Sequence, residues 1–596
     1  MASRVNVKFV VVLSVCLVAV AGGVALVAYT VIVKSAGDYI RLAEQATDEG
    51  EYERARAFYG RAVFRDQTNI GYLKLWRDSM RRVTPDSQVR YQRAYEEYFG
   101  ALRQLAVVAR TDLELYHDFL SEYYERLRRA PFSRGGYADL MNEVDLALAN
   151  FAGEPGGVGS HETLRRYRAL ALGRIAAEGA AMTDRERVQF EDDAAAAIAA
   201  NPEDADVAVM VAQYWALRAE AARLRGDMDV LRERDRQALE AAQAAARAHP
   251  NHPGAQAILL NLELARARAE AAANRRVADR LEALRQVGEA FQPRIEALAT
   301  MMSEQDPARV SPESYRRLAL LERITREDGT APFTSGALSR LSERGANAEL
   351  LMFLAEQQML MREYEQALAT LERVAQIQTP PVSLQGLLLF TIRPMARLTQ
   401  GNYAIRWWNE SSEDERPAIL TRAKGYRAAV GNQLGEDAPA LKLLDAKLAL
   451  AEQDLATGSR LLSEYNRLTG ESDAEALFIE AQTAERRGQS GLARTRLQQV
   501  IAVQPGNIPA RIMLGRVLTT LGDTDGAMAA AEAAREVAPT DERVLAVVEG
   551  VQTMTGQRRA EDPVTQVLLE AQRALQGTAV EPGSVLDAIE IMEAGA

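Results

Sequence analysis

Cysteine is almost missing from this chain. Of 596 residues only Cys16 carries a thiol, and it lies inside an uncharged hydrophobic run. No internal disulfide and no thiolate zinc cluster can therefore be built. Histidine is nearly as scarce, at His117, His161, His249 and His252. Only the last two are neighbours, in the turn AHPNHPG, and no carboxylate or cysteine there completes a metal set. Lysine is confined to Lys8, Lys34, Lys74, Lys424, Lys442 and Lys447, so nearly all positive charge is arginine, a bias that GC-rich coding explains before any binding role does. No stretch of useful length alternates apolar and polar residues with the period of a strand. There is no Gly-x-Ser-x-Gly elbow, and the glycine-rich EPGGVGSHE at 154–162 lacks both the preceding strand and the following lysine of a phosphate-cradling loop. It reads as a linker. These absences remove the familiar signatures of catalysis, cofactor binding and metal binding. The expectation is a protein that is not an enzyme, with no cofactor and no metal.

The net charge of -12 repels phosphate backbones, which argues against nucleic acid as a partner. Local basic clusters such as Arg126, Arg128 and Arg129, or Arg165, Arg166 and Arg168, read as solvated helix faces. What the chain does contain is alanine, leucine, glutamate and arginine, residues that lose little side-chain freedom in a helix. An all-α chain is the prediction.

Residues 9–33, FVVVLSVCLVAVAGGVALVAYTVIV, carry no charge and as a helix could cross a hydrocarbon core of about 30 Å. The competing reading is a cleaved signal peptide, with Arg4 and Lys8 as its basic start and Ala19-Val20-Ala21 as its cleavage site. The apolar run continues well past Ala21, which favours an uncleaved transmembrane anchor. Val15 before Cys16 is too bulky for a lipoprotein signal. Arg4 and Lys8 on one side against Lys34 and Arg41 on the other bias the short tail 1–8 toward the cytoplasm and the rest toward export. The expected location is a single-pass protein of the cell inner membrane with its bulk in the periplasm. Ala19 and Gly23 form a small-xxx-small pair through which two such helices could approach, making a homo-oligomer one possible assembly.

The remaining chain repeats. Tyr39, Leu42, Ala43 and Ala46 are followed by Gly50, Tyr52, Ala55, Tyr59 and Ala62, the grammar of two amphipathic helices with a glycine turn. It returns at Leu477, Ala481, Ala484, Gly488, Ala493, Leu497, Val500 and Pro505, and again at Leu514, Gly515, Leu518, Gly522, Ala527, Ala531, Ala534 and Pro539. Gly488 to Gly522, Ala493 to Ala527 and Pro505 to Pro539 all step by 34 residues. A looser copy runs through Leu351, Leu354, Ala355, Gln358, Tyr364, Ala367, Leu371, Val374 and Pro380. Around 443–465 a degenerate copy places Asp454 where the glycine should be. From 70 to 151 the helices are long and tyrosine-rich and match no unit, with the tyrosines and Trp76 expected as packing residues. Trp407-Trp408 is expected to cap neighbouring helices.

This pattern resembles the tetratricopeptide repeat, in which small residues let two helices pack closely and a proline closes each unit. The resemblance implies a right-handed α-solenoid of helical hairpins preceded by one transmembrane helix. The divisions expected are a first repeat and helical stack at 36–151, degenerate repeats at 162–325, repeat-like hairpins at 337–466, two well-formed repeats at 474–555 and capping helices at 563–596. It further implies a concave surface, lined by first helices, that holds protein or peptide partners. The positions implied are Phe478, Gln482, Glu485 and Arg486 in one unit and Ile512, Arg516, Thr519 and Thr520 in the next. The functional expectation is a membrane-anchored scaffold or adaptor of the bacterial envelope, in assembly or secretion. The alternatives are a tethered regulator facing the cytoplasm and an enzyme with an unrecognised site within 254–342.

Overall fold

Short side chains start most of these helices, and left-handed turn residues separate many of them. In the best-formed repeat the Asn507 side chain accepts the amide of Ala510 at 3.0 Å and Pro509 lies in the first turn, so Ile508–Thr520 begins with its free amides satisfied. It stops at Gly522, whose φ of 76° suits a residue without a Cβ, and Thr524–Val537 follows directly. A turn this tight folds the second helix back along the first. Ala474–Arg486 and Ser490–Val503 form the preceding hairpin around Gly488, at φ 72°. Their facing residues Ala481, Ala493, Leu497, Leu514 and Ala527 make one apolar cluster that runs through both hairpins. The core thus lies between neighbours, and no single hairpin owns it.

A computed structural model describes residues 34–554 except 152–160, 274–276, 308–311, 327–328, 346, 436 and 538–541. The tail 1–8, the segment 9–33, residues 154–160 of the glycine-rich linker, Pro539 and the capping helices expected over 563–596 lie outside the described residues. Among the described residues there are 25 α-helices, no strand, and no helix long and apolar enough to cross a membrane.

Contacts divide the chain into two units, the first taking Met1–Glu363 and Gln376–Arg393, the second Tyr364–Ala375 and Pro394–Ala596. In the first, the expected opening hairpin is present as Ala36–Asp48 and Tyr52–Arg65, with Ala43, Ala55 and Tyr59 buried between them. The tyrosine-rich stretch supplies buried Tyr91, Tyr95 and Tyr137, and the Tyr95 hydroxyl donates to Glu122 at 2.8 Å. The middle of the chain, irregular as sequence, is regular as structure. Arg165–Ala177, Ala205–Leu224, Pro253–Ala272, Pro312–Thr325 and Ala348–Leu360 each touch the next, each of the first four followed by a second helix of its own.

Buried charges there serve this stacking. Asp193 is fully buried and accepts Arg168 Nε and Nη2 at 2.5 and 2.7 Å. Glu322, also buried, accepts the amides of Phe333 and Thr334 at 2.7 and 2.9 Å, so one hairpin helix caps the start of Pro332–Arg344. A further connection joins residues far apart in sequence. The Tyr91 hydroxyl donates to the Pro381 carbonyl at 2.7 Å and accepts the Ser383 amide at 3.1 Å, while the Val382 amide reaches the Val83 carbonyl at 2.9 Å. The segment 379–383 is therefore fastened onto the second hairpin of its own unit.

In the second unit the turn expected at Asp454 is displaced by one residue. Gln453 takes the left-handed conformation, at φ 65°, and Asp454 caps the next helix by accepting the Thr457 amide at 3.0 Å. The cause is length: Leu455–Thr469 has 15 residues and ends on Gly470, so the unit is longer than its successors. Trp407 and Trp408 are half-buried against the cluster of Leu398, Ile419 and Leu444; the first stacks on Tyr364 at 5.9 Å and Arg416 lies over the second at 5.0 Å.

Candidate functional site

The surface at issue is the first-helix face of 474–520, and it stands on a rigid base. Glu480, 1% exposed, accepts Ser463 Oγ at 2.7 Å and Asn466 Nδ2 at 2.6 Å and lies 2.9 Å from Arg496 Nε. That set ties Ala474–Arg486 to the helix before it and to its own hairpin partner. A buried carboxylate with this many donors holds one geometry, since losing any partner leaves an uncompensated polar group.

On the outer side, the 3.6-residue period turns Leu477, Glu480, Ala481 and Ala484 inward and leaves Gln482 and Arg486 outward. Gln482 and Arg486 are exposed, while Phe478 and Glu485 are half-buried. In the next hairpin Arg516 and Thr520 are exposed, and Ile512 and Thr519 half-buried. Phe478 leans on the cluster shared by the two hairpins, and Ile512 on a separate one of Ala531, Ala534, Val544 and Val548. Both offer a ligand only an edge. The Thr519 and Thr520 hydroxyls donate to their own helix, to the Gly515 carbonyl at 2.8 Å and the Arg516 carbonyl at 3.1 Å, so outward they act as acceptors.

Glu485 and Arg516 are brought together, with Arg516 Nη2 3.3 Å from Glu485 Oε1. A pair this open contributes roughly 0–1 kcal/mol. It can be exchanged for a partner's charges at little cost. The face therefore combines two apolar edges, an exchangeable ion pair and free polar groups at Gln482 and Arg486, and contains no nucleophile beside a base.

The histidines are structural in their contacts. His252 Nδ1 accepts the Ala255 amide at 3.3 Å and caps its helix. His117 sits 2.9 Å from Thr163 Oγ1 and 3.2 Å from the Tyr167 hydroxyl, and burial, aided by the nearby Arg166 charge, lowers its pKa. Among the described residues no group of three or more His, Cys, Asp or Glu side chains is placed to hold a metal ion.

One surface had no sequence expectation attached to it. Tyr52–Arg65 and Gln88–Val108 flank a cleft of about 1060 Å³ with Trp76 in its lining.

The geometry defines a class first: an array of helical hairpins that share their cores and present side chains outward. Residues 486–549 match the family model described as tetratricopeptide repeat. The matched stretch thus reads as tetratricopeptide repeat, and it runs from the turn at Gly488 through Ser490–Val503 and the hairpin around Gly522 into Glu542–Met554. No curated protein matches it. Among solved structures, it is similar to yeast Tom70 at 14% identity and a TM-score of 0.32, over 91% of this chain and 99% of that one. It is similar to the APC/C hetero-tetramer Cut9-Hcn1 at 10% identity and 0.32, over 89% and 98%. A tetratricopeptide repeat protein from Parabacteroides merdae gives 13% identity and 0.30, over 57% and 99%. At such scores these likenesses add nothing to the hairpin geometry.

Proposed function

We propose that this protein is a membrane-anchored scaffold that holds protein or peptide partners on the first-helix face of its repeats, without catalysis of its own. The observation that carries the reading is the pair of hairpins at 474–537, rigid beneath through Glu480 and open above at Gln482, Arg486, Arg516 and Thr520. Residues 9–33 serve as a single-pass anchor in a bacterial inner membrane, with the array on the periplasmic side, in envelope assembly or secretion. The support for the anchor is the length and lack of charge of that run.

The test is photo-crosslinking in living cells from single positions, Gln482 and Thr520. Capture of the same protein from both sites, lost in an Arg516→Glu variant, supports the reading. Capture of no protein, together with turnover of a small molecule by the purified chain, overturns it. Sidedness is settled separately, since Cys16 is the only native thiol. A cysteine placed at Arg486 labels with an impermeant reagent from outside if the array is exported, and does not if it faces the cytoplasm.

A further inference from the structure

The cleft beside Trp76 is built from second helices. Seven of its twelve lining residues belong to Tyr52–Arg65 and three to Gln88–Val108, while the first helices contribute only Tyr39 and Trp76. It thus opens on the second-helix side of its own hairpins. Gly60 sets its depth: a Cβ there would come within 3.1 Å of Trp76 Nε1, so the indole lies against the helix as a floor. Phe64 stands on the rim, 74% exposed.

Its charge is lopsided. The lining holds five arginines and two glutamates, in a chain whose net charge is -12. Arg56 is fixed, 2.6 Å from Glu97 and 3.0 Å from Glu53, and Arg93 lies 3.3 Å from the same Glu97. The two glutamates are thereby used up. Arg61 stacks over Phe58 and Tyr39, at 5.7 and 6.0 Å, and it and Arg65 have no carboxylate in ion-pair reach among the described residues. Both are exposed. An arginine held by ring stacking with its fork toward solvent is placed to take a carboxylate bidentately.

We infer that this cleft is a second docking site, for an acidic peptide segment that carries an apolar side chain. Its carboxylates meet Arg61 and Arg65, and its apolar side chain fills the space between Phe64 and Trp76. Charge complementarity selects an acidic ligand. The recess selects a peptide over an anionic membrane, because a flat bilayer surface meets the rim but cannot reach the indole at the floor. The site is independent of the first-helix face, so either can fail without the other.

The experiment uses the full chain in detergent and a fluorescein-labelled synthetic peptide in which glutamate alternates with leucine and tyrosine. Controls are the same peptide with lysine for glutamate, and vesicles of phosphatidylcholine with phosphatidylglycerol. The acidic peptide should bind, read by its fluorescein anisotropy, the lysine peptide should not, and binding should weaken with salt. Arg61→Glu with Arg65→Glu should lower the affinity tenfold or more, and Arg61→Gln with Arg65→Gln by less. Both residues are exposed, and an unchanged helical circular dichroism spectrum shows that the fold is kept. Arg516→Glu should leave this binding unaltered. Equal binding of both peptides, acidic binding indifferent to the arginine variants, or retention of the chain by anionic vesicles with no peptide binding each overturns the proposal.

Discussion

Replacing Tyr91 by phenylalanine removes one oxygen and tests the fastening of 379–383. The side chain is fully buried, and its ring contact with Phe390, 5.2 Å between centroids, survives the change. What disappears is a donor to the Pro381 carbonyl and an acceptor for the Ser383 amide. Each hydrogen bond contributes about 0.5–1.5 kcal/mol net, and a buried group left without a partner costs about 1–3 kcal/mol. The expected loss is about 2–3 kcal/mol, which corresponds to roughly a 30- to 150-fold change in the closing equilibrium of the segment. Amide hydrogen exchange reads this directly. The Val382 and Ser383 amides should lose protection by that order, and Val83, whose carbonyl receives Val382, lies in the neighbourhood that loosens with them. Gly386→Ala attacks the same contact from the other side, since a Cβ there would fall 1.8 Å from the Tyr91 hydroxyl. Exchange at 382–383 unchanged in both variants would refute the reasoning, because the segment would then be held by something other than the tyrosine.

Other substitutions probe the remaining links. Gln453→Gly should raise the urea midpoint of the second unit by about 1 kcal/mol equivalent, because the position is left-handed; a destabilised variant would show that the turn is not as described. Asp193→Ala should cost about 1–3 kcal/mol, because Arg168 loses two of its bonds but keeps its pair with Asp145, measured by chemical denaturation, and a loss below about 0.5 kcal/mol would mean the pair is solvated. Acidification should weaken the first unit through His117. Its folded pKa is lowered by burial, so the unfolded chain binds the proton more readily, and the stability present above the ordinary imidazole value drains away as pH falls through it toward the folded value. A His117→Gln variant should show a shallower fall of the unfolding midpoint between about pH 7 and pH 5; an identical slope would contradict this assignment.

The sequence revealed the repeat best where helix lengths are uniform. Gly488 and Gly522, with Ala493 and Ala527, sit in hairpins whose two helices have 13 and 14 residues, so the small residues recur at a fixed step. Through the middle the same stacking persists, but Ala205–Leu224, Met228–Ala248 and Val277–Ser303 have 20, 21 and 27 residues, and the step dissolves. Turn glycines also fail as markers where Arg362 and Gln453 take the left-handed position. The outward positions on Ala474–Arg486 and Ile508–Thr520 followed from helical period alone, but the meeting of Glu485 with Arg516 did not, since it depends on how one hairpin lies on the next. Tyr91 and Ser383 carry no local sign of each other, being separated by nearly half the chain. That Arg61 and Arg65 are left without a carboxylate in reach, while Arg56 and Arg93 share Glu97, is a property of three dimensions that the sequence does not carry.

The fastening of 379–383 to Val83 and Tyr91 changes what kind of object the first unit is. A row of hairpins joined only to neighbours melts from its termini inward, one element at a time. Here the terminal stretch is clasped to an early one, so peeling from that side must first break a closed circuit, and the elements between are committed to rise and fall together. Such a unit resists gradual fraying and yields abruptly.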